Sequence, residues 1–432
     1  MENEKTIKSE DTTTIKVSTN KKGFLNLSLF LLLQGQFISM MGDMIYEIAL
    51  GFWVLAFTGS PALMGTLMAT SLLPGVILSP FAGVVVDRSN RKRLMILMDL
   101  IRGITIITVA IVAIMGLLQL WMVFLAGIIL GIGGAFFGPA AMSVLPQMVP
   151  RDKLTNANSL FGVSNTGADI LGNSLGGILY VLIGAPLMFL LNGISFILSG
   201  ISISFAKIPK SRESKITTQN FLSDLKESTQ FVWKLKGLLY ILLIFSIFSF
   251  LVHIAVVLLI PLFQFTPGLG AAKYGIAVAC FTVGVFMGMV VLSTVNVHPS
   301  KKATLMLVSL TISNLCLILF ALTTQFYLMA LLLLIAGLSE SVVNVFILSS
   351  IQSVVPDQMM GKVMGLVGTL TLALTPLAMV TGGVLAEIFP IRTIFLVCFV
   401  GSFLVFVNLF FIKSVRRFIN FDPTRDSRED LI

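Results

Sequence analysis

Charge is scarce in this 432-residue chain: only 11% of its positions are Asp, Glu, Lys or Arg, against 56% that are hydrophobic. A water-soluble fold could not cover that much apolar surface, so the solvent implied by the composition is a lipid bilayer. Histidine occurs twice, at His253 and His298, and cysteine three times, at Cys280, Cys316 and Cys398. The cysteines all fall in apolar stretches without paired spacing, which excludes a disulfide framework and reads them as small buried hydrophobes. No metal site is expected from so few ligands, and no nucleophile has a recognisable partner, so the chain is not read as an enzyme. Gly361 and Lys362 lack the upstream glycine and the following Ser or Thr of a phosphate-binding loop. ATP is therefore excluded as the direct energy source, and no cofactor is expected. Residues 1–22 are polar and lack the apolar core and cleavage site of a signal peptide; they read as a disordered cytosolic tail.

What is abundant is the apolar run of about 20 residues, long enough to cross a hydrocarbon core of roughly 30 Å. Six such runs are expected at 27–55, 62–86, 94–116, 119–143, 158–182 and 184–206, and six more at 238–263, 272–294, 304–323, 326–350, 364–388 and 391–413. The domains that follow are a six-helix bundle over 23–206, a linker over 207–237, a second six-helix bundle over 238–413 and a cytosolic tail over 414–432. In the linker, Phe221, Leu225, Val232 and Leu235 fall near one helical face, which predicts an amphipathic helix on the inner membrane surface.

The net charge of +9 forms no nucleic-acid recognition face, because the basic residues lie between apolar segments. Nearly all loop Lys and Arg alternate onto one side, with only Lys273 and Arg392 opposite and Arg102 inside a helix. That asymmetry places both termini in the cytosol of a multi-pass protein, read as a resident of the bacterial plasma membrane. The halves also repeat each other. Gly176, Gly177, Ile178 and Leu179 recur as Gly382, Gly383, Val384 and Leu385, a shift of 206, and Gln147, Pro150 and Asp152 have counterparts in Gln352, Pro356 and Asp357. A parallel duplication of six helices resembles the architecture of major facilitator transporters, which implies a site near the midplane between the halves.

Between the second and third runs stands Gly83, Val84, Val85, Val86, Asp87, Arg88, Ser89, Asn90, Arg91, Lys92, Arg93. This loop resembles the signature of the major facilitator superfamily, with Asn90 in place of the glycine that many members carry. Physically, Gly83 allows two helices to approach and Asp87 suits the positive N-terminal end of a helix from the other half. The resemblance implies that Gly83, Asp87, Arg88, Arg91 and Lys92 form a latch closing the cytosolic side; the alternative is a set of topology determinants at lipid headgroups. Further segments, including Gly42 and Asp43, Thr58 to Ser60, Leu78 to Gly83 and Asn156 to Leu160, resemble the drug:proton antiporter branch that includes the Mef-type macrolide efflux proteins and the enterobactin exporter. The fifth helix departs from the exporter pattern: Gly172 is followed by Asn173, Ser174, Leu175, Gly176 and Gly177, without the usual proline.

An ionisable residue deep in a membrane helix costs at least about 2.5 kcal/mol on insertion scales, so each one is a functional candidate. Asp43 and Glu47 share one face of the first helix, and Gln36 falls seven residues before Asp43 on the same stripe. Asp169 lies in the fifth helix, Glu340 and Asn344 one turn apart in the tenth, and His253 in the seventh. Their depth makes reversible proton binding the expected chemistry, with a buried structural hydrogen bond as the alternative for each. Asp99 and Arg102 read as an intrahelical pair or a brace for the signature loop. Tyr46 and Trp53 are candidates for contact with a lipophilic substrate.

The expectation is thus an all-α membrane protein of twelve transmembrane helices in two six-helix repeats, the major facilitator fold. Its partners are a small-molecule substrate, protons and the lipid bilayer, with no nucleic acid, and the monomer is the expected functional unit. Four buried carboxylates and no clearly midplane Lys or Arg make the expected cavity acidic or neutral, so a cationic or uncharged amphiphile, such as an antibiotic, suits it and proton-coupled export is the expected activity. The alternatives are uptake or export of another metabolite, such as a nutrient or siderophore, and a non-transporting receptor or scaffold.

Overall fold

A computed structural model describes residues 26–150, 153–208, 230–233, 235–295, 297–421 and 426. Its principal helices are α1 (Leu27–Thr58), α2 (Pro61–Arg88), α3 (Arg91–Ile114), α4 (Leu120–Met148) and α5 (Leu154–Phe205) in the first half. In the second half they are α6 (Lys236–Val257), α7 (Leu259–Phe265), α8 (Gly270–Thr294), α9 (Lys302–Leu322), α10 (Phe326–Val354), α11 (Asp357–Ala373), α12 (Thr375–Ile388) and α13 (Ile391–Phe411), followed by α14 (Lys413–Ile419). Among the described residues, eleven helical runs are long and apolar enough to cross a membrane.

One of those runs makes two crossings. The apolar stretch of α5 covers 50 residues, more than twice the length of about 20 that one crossing needs. It turns at Gly184, whose φ of 74° is open to glycine and strained for other residues, and Pro186 then opens the returning arm. Twelve crossings result. The turn between α1 and α2 follows the same logic: Gly59, at φ 68°, closes α1 through its N–H to the Leu55 carbonyl, Ser60 caps α2 and Pro61 occupies its first turn.

The helices outrun their apolar stretches at the polar ends. α4 continues to Met148, α5 begins at Leu154, α10 continues to Val354 and α11 begins at Asp357, because hydropathy marks the bilayer while backbone hydrogen bonding carries on beyond it. Two expected spans are interrupted, one at Leu258 between α6 and α7 and one at Leu374 between α11 and α12. Pro261 and Pro376 stand just after these breaks, where each removes a backbone donor from the ladder.

Of the expected linker helix, Phe221 and Leu225 lie outside the described residues, as does the tail over 1–22. Val232 and Leu235 are buried beside Phe418 and Ile419. The opening of the expected C-terminal tail is in fact α14, whose Val415, Phe418 and Ile419 are buried against the second half.

The two halves meet along α2 with α12 and along α5 with α8. Their contact lies at the end of the bundle that carries Gly59, Gly184 and the 266–269 loop. A side chain on Gly177 would collide with the backbone of Ala271 and Gly275, so the first arm of α5 and α8 touch backbone to backbone. At the opposite end the halves part: α2 barely touches α11, and a Cβ added to Gly83, Gly162, Gly365 or Gly368 would have no neighbour within 4 Å. A cleft is therefore closed at one end and open at the end that carries both described termini.

Candidate functional site

The stripe on α1 faces this cleft. Glycine and small residues flank it on either side: Gly35 and Gly42 admit Ser199, Ser195 and Asn192 of the returning arm of α5, while Met41, Met44 and Ile48 pack on Gly172 and Gly176 of its first arm. The direction between those two contacts carries Gln36, Asp43 and Glu47. Gln36 and Asp43 are half-buried, and Glu47 is exposed although it lies in the middle of a closely packed helix.

Each of these side chains has a neighbour from another helix. The Gln36 amide donates to Asn165 Oδ1 at 3.1 Å, and the Asn192 amide donates to Asp43 Oδ1 at 3.4 Å. Ser195 donates to Asn192 Oδ1 at 3.2 Å, which leaves the Asn192 amide N–H turned toward Asp43. Glu47 lies within electrostatic reach of Asp43 on its own helix and of Asp169, half-buried on the first arm of α5. The charge of Glu47 also reaches Tyr274 on α8, across the contact between the halves. Gln36, Asp43, Glu47 and Asp169 are thus gathered at one cleft wall, as the spacing on α1 leads one to expect for the first three.

Arg102 changes the electrostatic picture. It is 5% exposed and sits in the first half's interior, hydrogen-bonded to Asp99 one turn earlier. Its guanidinium carbon lies 4.2 Å from the Phe196 ring centre and 4.9 Å from that of Phe137, the geometry of a cation held between aromatic faces. From there its charge acts on Asp43, so the interior contains a cation that the expectation of a purely acidic or neutral cavity leaves out. Asp99 pairs with that cation, and neither residue is a loop brace.

The second half's candidates stand apart. Glu340 is half-buried on α10 and has no hydrogen-bonding or ion-pairing partner among the described residues; Asn344, one turn on, is exposed. His253 turns back on its own helix, its Nδ1 lying 2.7 Å from the Ser249 carbonyl. Tyr46 is 3% exposed and packs on Phe189 with ring centres 5.3 Å apart, so in this state its ring is covered by the protein. Trp53 stacks on Phe57.

In the signature loop, Asn90 caps α3 by accepting the Arg93 N–H at 3.1 Å, a task the commoner glycine has no side chain to perform. Arg91 donates to the Ser143 carbonyl at 3.1 Å, and Lys92 donates to the carbonyls of Ser204 and Ala206 at 2.6 and 2.7 Å. These contacts all stay within the first half. Gly83 faces open space rather than a partner helix, because the halves are parted at that end. Arg88 is exposed, and the Asp87 side chain lies outside the described residues.

Asn165, Asn192, Ser195 and Tyr274 are not singled out by sequence reasoning. A search confined to ionisable groups passes over amides, although an Asn inside an apolar run costs enough to mark it.

Comparison with known proteins agrees with this architecture. The family profile described as Major Facilitator Superfamily matches residues 32–376. Macrolide efflux protein A of Streptococcus pyogenes is 24% identical over 365 residues, which cover 84% of this chain and 90% of that protein. Multidrug efflux pump Tap of Mycolicibacterium fortuitum is 24% identical over 409 residues, covering 93% of this chain and 98% of the pump. Among solved structures, a bacterial homologue of the human lysosomal transporter Spinster, inward-facing and unoccupied, superposes with a TM-score of 0.66 at 15% identity, over 92% of this chain and 97% of that one.

Proposed function

Since the chain belongs to the Major Facilitator Superfamily, whose members are membrane transporters of small molecules, we propose that it exports lipophilic small molecules, such as antibiotics, in exchange for protons. The observation that carries this reading is the acidic stripe of α1: Asp43 and Glu47 stand on a cleft wall with Asp169 near them, in a cleft open at one end only. Such a site serves substrate and proton in turn. Substrate bound from the open end displaces protons from the carboxyl groups, and protons arriving after the halves rock to the opposite state displace the substrate. The differential affinity of the two occupants supplies the coupling.

With both termini cytosolic by the distribution of Lys and Arg, the open end is cytosolic and the state described faces inward. The latch of Gly83, Asp87 and Arg88, braced by Arg91 and Lys92, closes that end in the opposite state. Glu340 and Asn344 contribute the second half's share of the cavity. Cationic or uncharged amphiphiles fit best, because Asp99 offsets Arg102 and leaves the stripe acidic. Two relatives named as efflux proteins favour export over uptake. The monomer contains the whole pathway.

Inverted membrane vesicles with an imposed pH gradient test the reading. The parent protein is expected to concentrate substrate until a protonophore is added. Transport that is indifferent to the protonophore would show the coupling to be wrong.

A further inference from the structure

At the closed end of the cleft, a carboxylate outside the transport site reaches from one half to the other. Glu387 lies in the last turn of α12 and is exposed, yet it reaches across to the other half. The Ser60 hydroxyl donates to Glu387 Oε1 at 2.5 Å, and the backbone N–H of Ala62 donates to the same oxygen at 3.3 Å. Ser60 also caps α2, accepting the Leu63 N–H at 3.2 Å, so the carboxylate joins the free donors at that helix N-terminus.

Its own helix does not account for this placement. An acid in the last turn of a helix faces the negative end of that helix's dipole and is disfavoured there, whereas the N-terminus of α2 offers positive charge and unpaired N–H groups. Backbone packing brings the two together: a Cβ on Gly383, one turn before Glu387, would collide with Pro61 and Ala62, and one on Gly65 would collide with the Met379 carbonyl. A surface carboxylate free to point into water instead completes the cap of a helix from the other half.

We propose that Glu387 and Ser60 form a second latch, at the end opposite the signature loop, that holds the transporter in the state described here and must release for the cleft to open outward. The same pair of transmembrane segments then carries an acid at each end on opposite partners: Asp87 at the C-terminal end of α2 and Glu387 at the C-terminal end of α12. Each is placed to meet the N-terminal end of the other half's helix, α11 or α2, in alternate states. The latch rests on the alternating-access part of the proposed function and is independent of what is carried or which ion drives it.

Spin-label distances read the state directly. In a background with Cys280→Ala, Cys316→Ala and Cys398→Ala, one label pair at Phe57→Cys and Thr324→Cys spans the closed end and another at Lys153→Cys and Lys301→Cys spans the open end. Glu387→Ala and Ser60→Ala should each raise the ratio of outward-open to inward-open protein about two- to tenfold, the factor that a carboxylate at a helix N-terminus supports. The first pair should lengthen and the second shorten together. Glu387→Lys should shift the ratio further, because it sets a cation against the same helix end. The double variant Glu387→Ala with Ser60→Ala should shift it no more than the larger single one, since Glu387→Ala already removes all that Ser60 contributes to the contact between the halves. Unchanged distances in both single variants at unchanged melting temperature, or strictly additive shifts, would overturn the latch. Protonophore-insensitive transport would overturn the coupling and leave the latch untouched.

Discussion

The interiors of the two halves differ in kind. In the first half, polar groups meet across helices, Gln36 with Asn165, Asp43 with Asn192 and Glu47 within reach of Asp169, while Asp99 pairs with Arg102 along α3. In the second half they close locally or in neutral pairs. His253 returns to Ser249 on its own helix, Ser402 donates to Asn314 at 2.6 Å between α13 and α9, and Glu340 has no partner among the described residues. A charge inside a membrane protein is expensive and persists where it does something. Among the described residues, the interior ionisable groups are thus concentrated in the first half, with Glu340 and His253 as the second half's share.

The largest effect that tests this division is on stability. Arg102→Leu leaves Asp99 buried without its cation, and breaking a buried pair from one side costs about 3–5 kcal/mol. Ser402→Ala in the second half removes a neutral hydrogen bond, worth about 0.6 kcal/mol between membrane helices. Melting of the detergent-solubilised variants should therefore show a large drop for Arg102→Leu and a slight one for Ser402→Ala. Equal drops would mean that the halves are built alike and that the division is only one of residue type.

The next effect is on coupling. Glu47→Gln and Asp43→Asn cannot exchange a proton, so uphill substrate accumulation in vesicles under a pH gradient should fall by about 5- to 150-fold, the range of typical coupling free energies. Passive exchange down a substrate gradient should survive. Glu340→Gln should lower accumulation by less than either, because Glu340 has no ion-pairing partner among the described residues. A deeper loss for Glu340→Gln than for Glu47→Gln would move the ionisable chemistry to the second half and reverse the comparison.

Much of this architecture is legible in the amino-acid sequence. Spans follow from hydropathy because the bilayer sets their length, and the α1 stripe follows from the helical period, which puts residues 36, 43 and 47 on one face. Spacing alone cannot show which groups on other helices meet that face. Asn192 is 149 residues from Asp43, and Glu387 is 327 residues from Ser60, so neither pairing leaves a local pattern. The i,i+3 spacing of Asp99 and Arg102 shows their pairing in the sequence, but the packing of that cation between Phe137 and Phe196 leaves no local pattern. The breaks at Leu258 and Leu374 have a local signal in Pro261 and Pro376, which an apolar window averages away.

The smallest effect concerns a feature the two halves share, and it limits how far the comparison extends. Lys92 donates to the carbonyls of Ser204 and Ala206, where the returning arm of α5 ends. Arg392 does the same for α9, donating to the carbonyls of Ala321 and Thr323 at 2.9 and 2.6 Å. Both are cations at helix C-terminal ends, where the carbonyls lack intrahelical donors and the dipole favours positive charge, each worth about 0.3–1 kcal/mol. One lies at the open end of the first half and the other at the closed end of the second, so ionisable side chains outside the interior are used alike. Lys92→Gln and Arg392→Gln should then lower the melting temperature slightly and by similar amounts. Transport per folded molecule should stay near the parent's in both, because each brace acts within its own half and none of its contacts among the described residues crosses the cleft. If Lys92→Gln instead depresses transport while Arg392→Gln does not, at matched abundance, Lys92 has a part in closing the open end beyond the contacts it makes here, and the asymmetry between the halves extends to their surfaces.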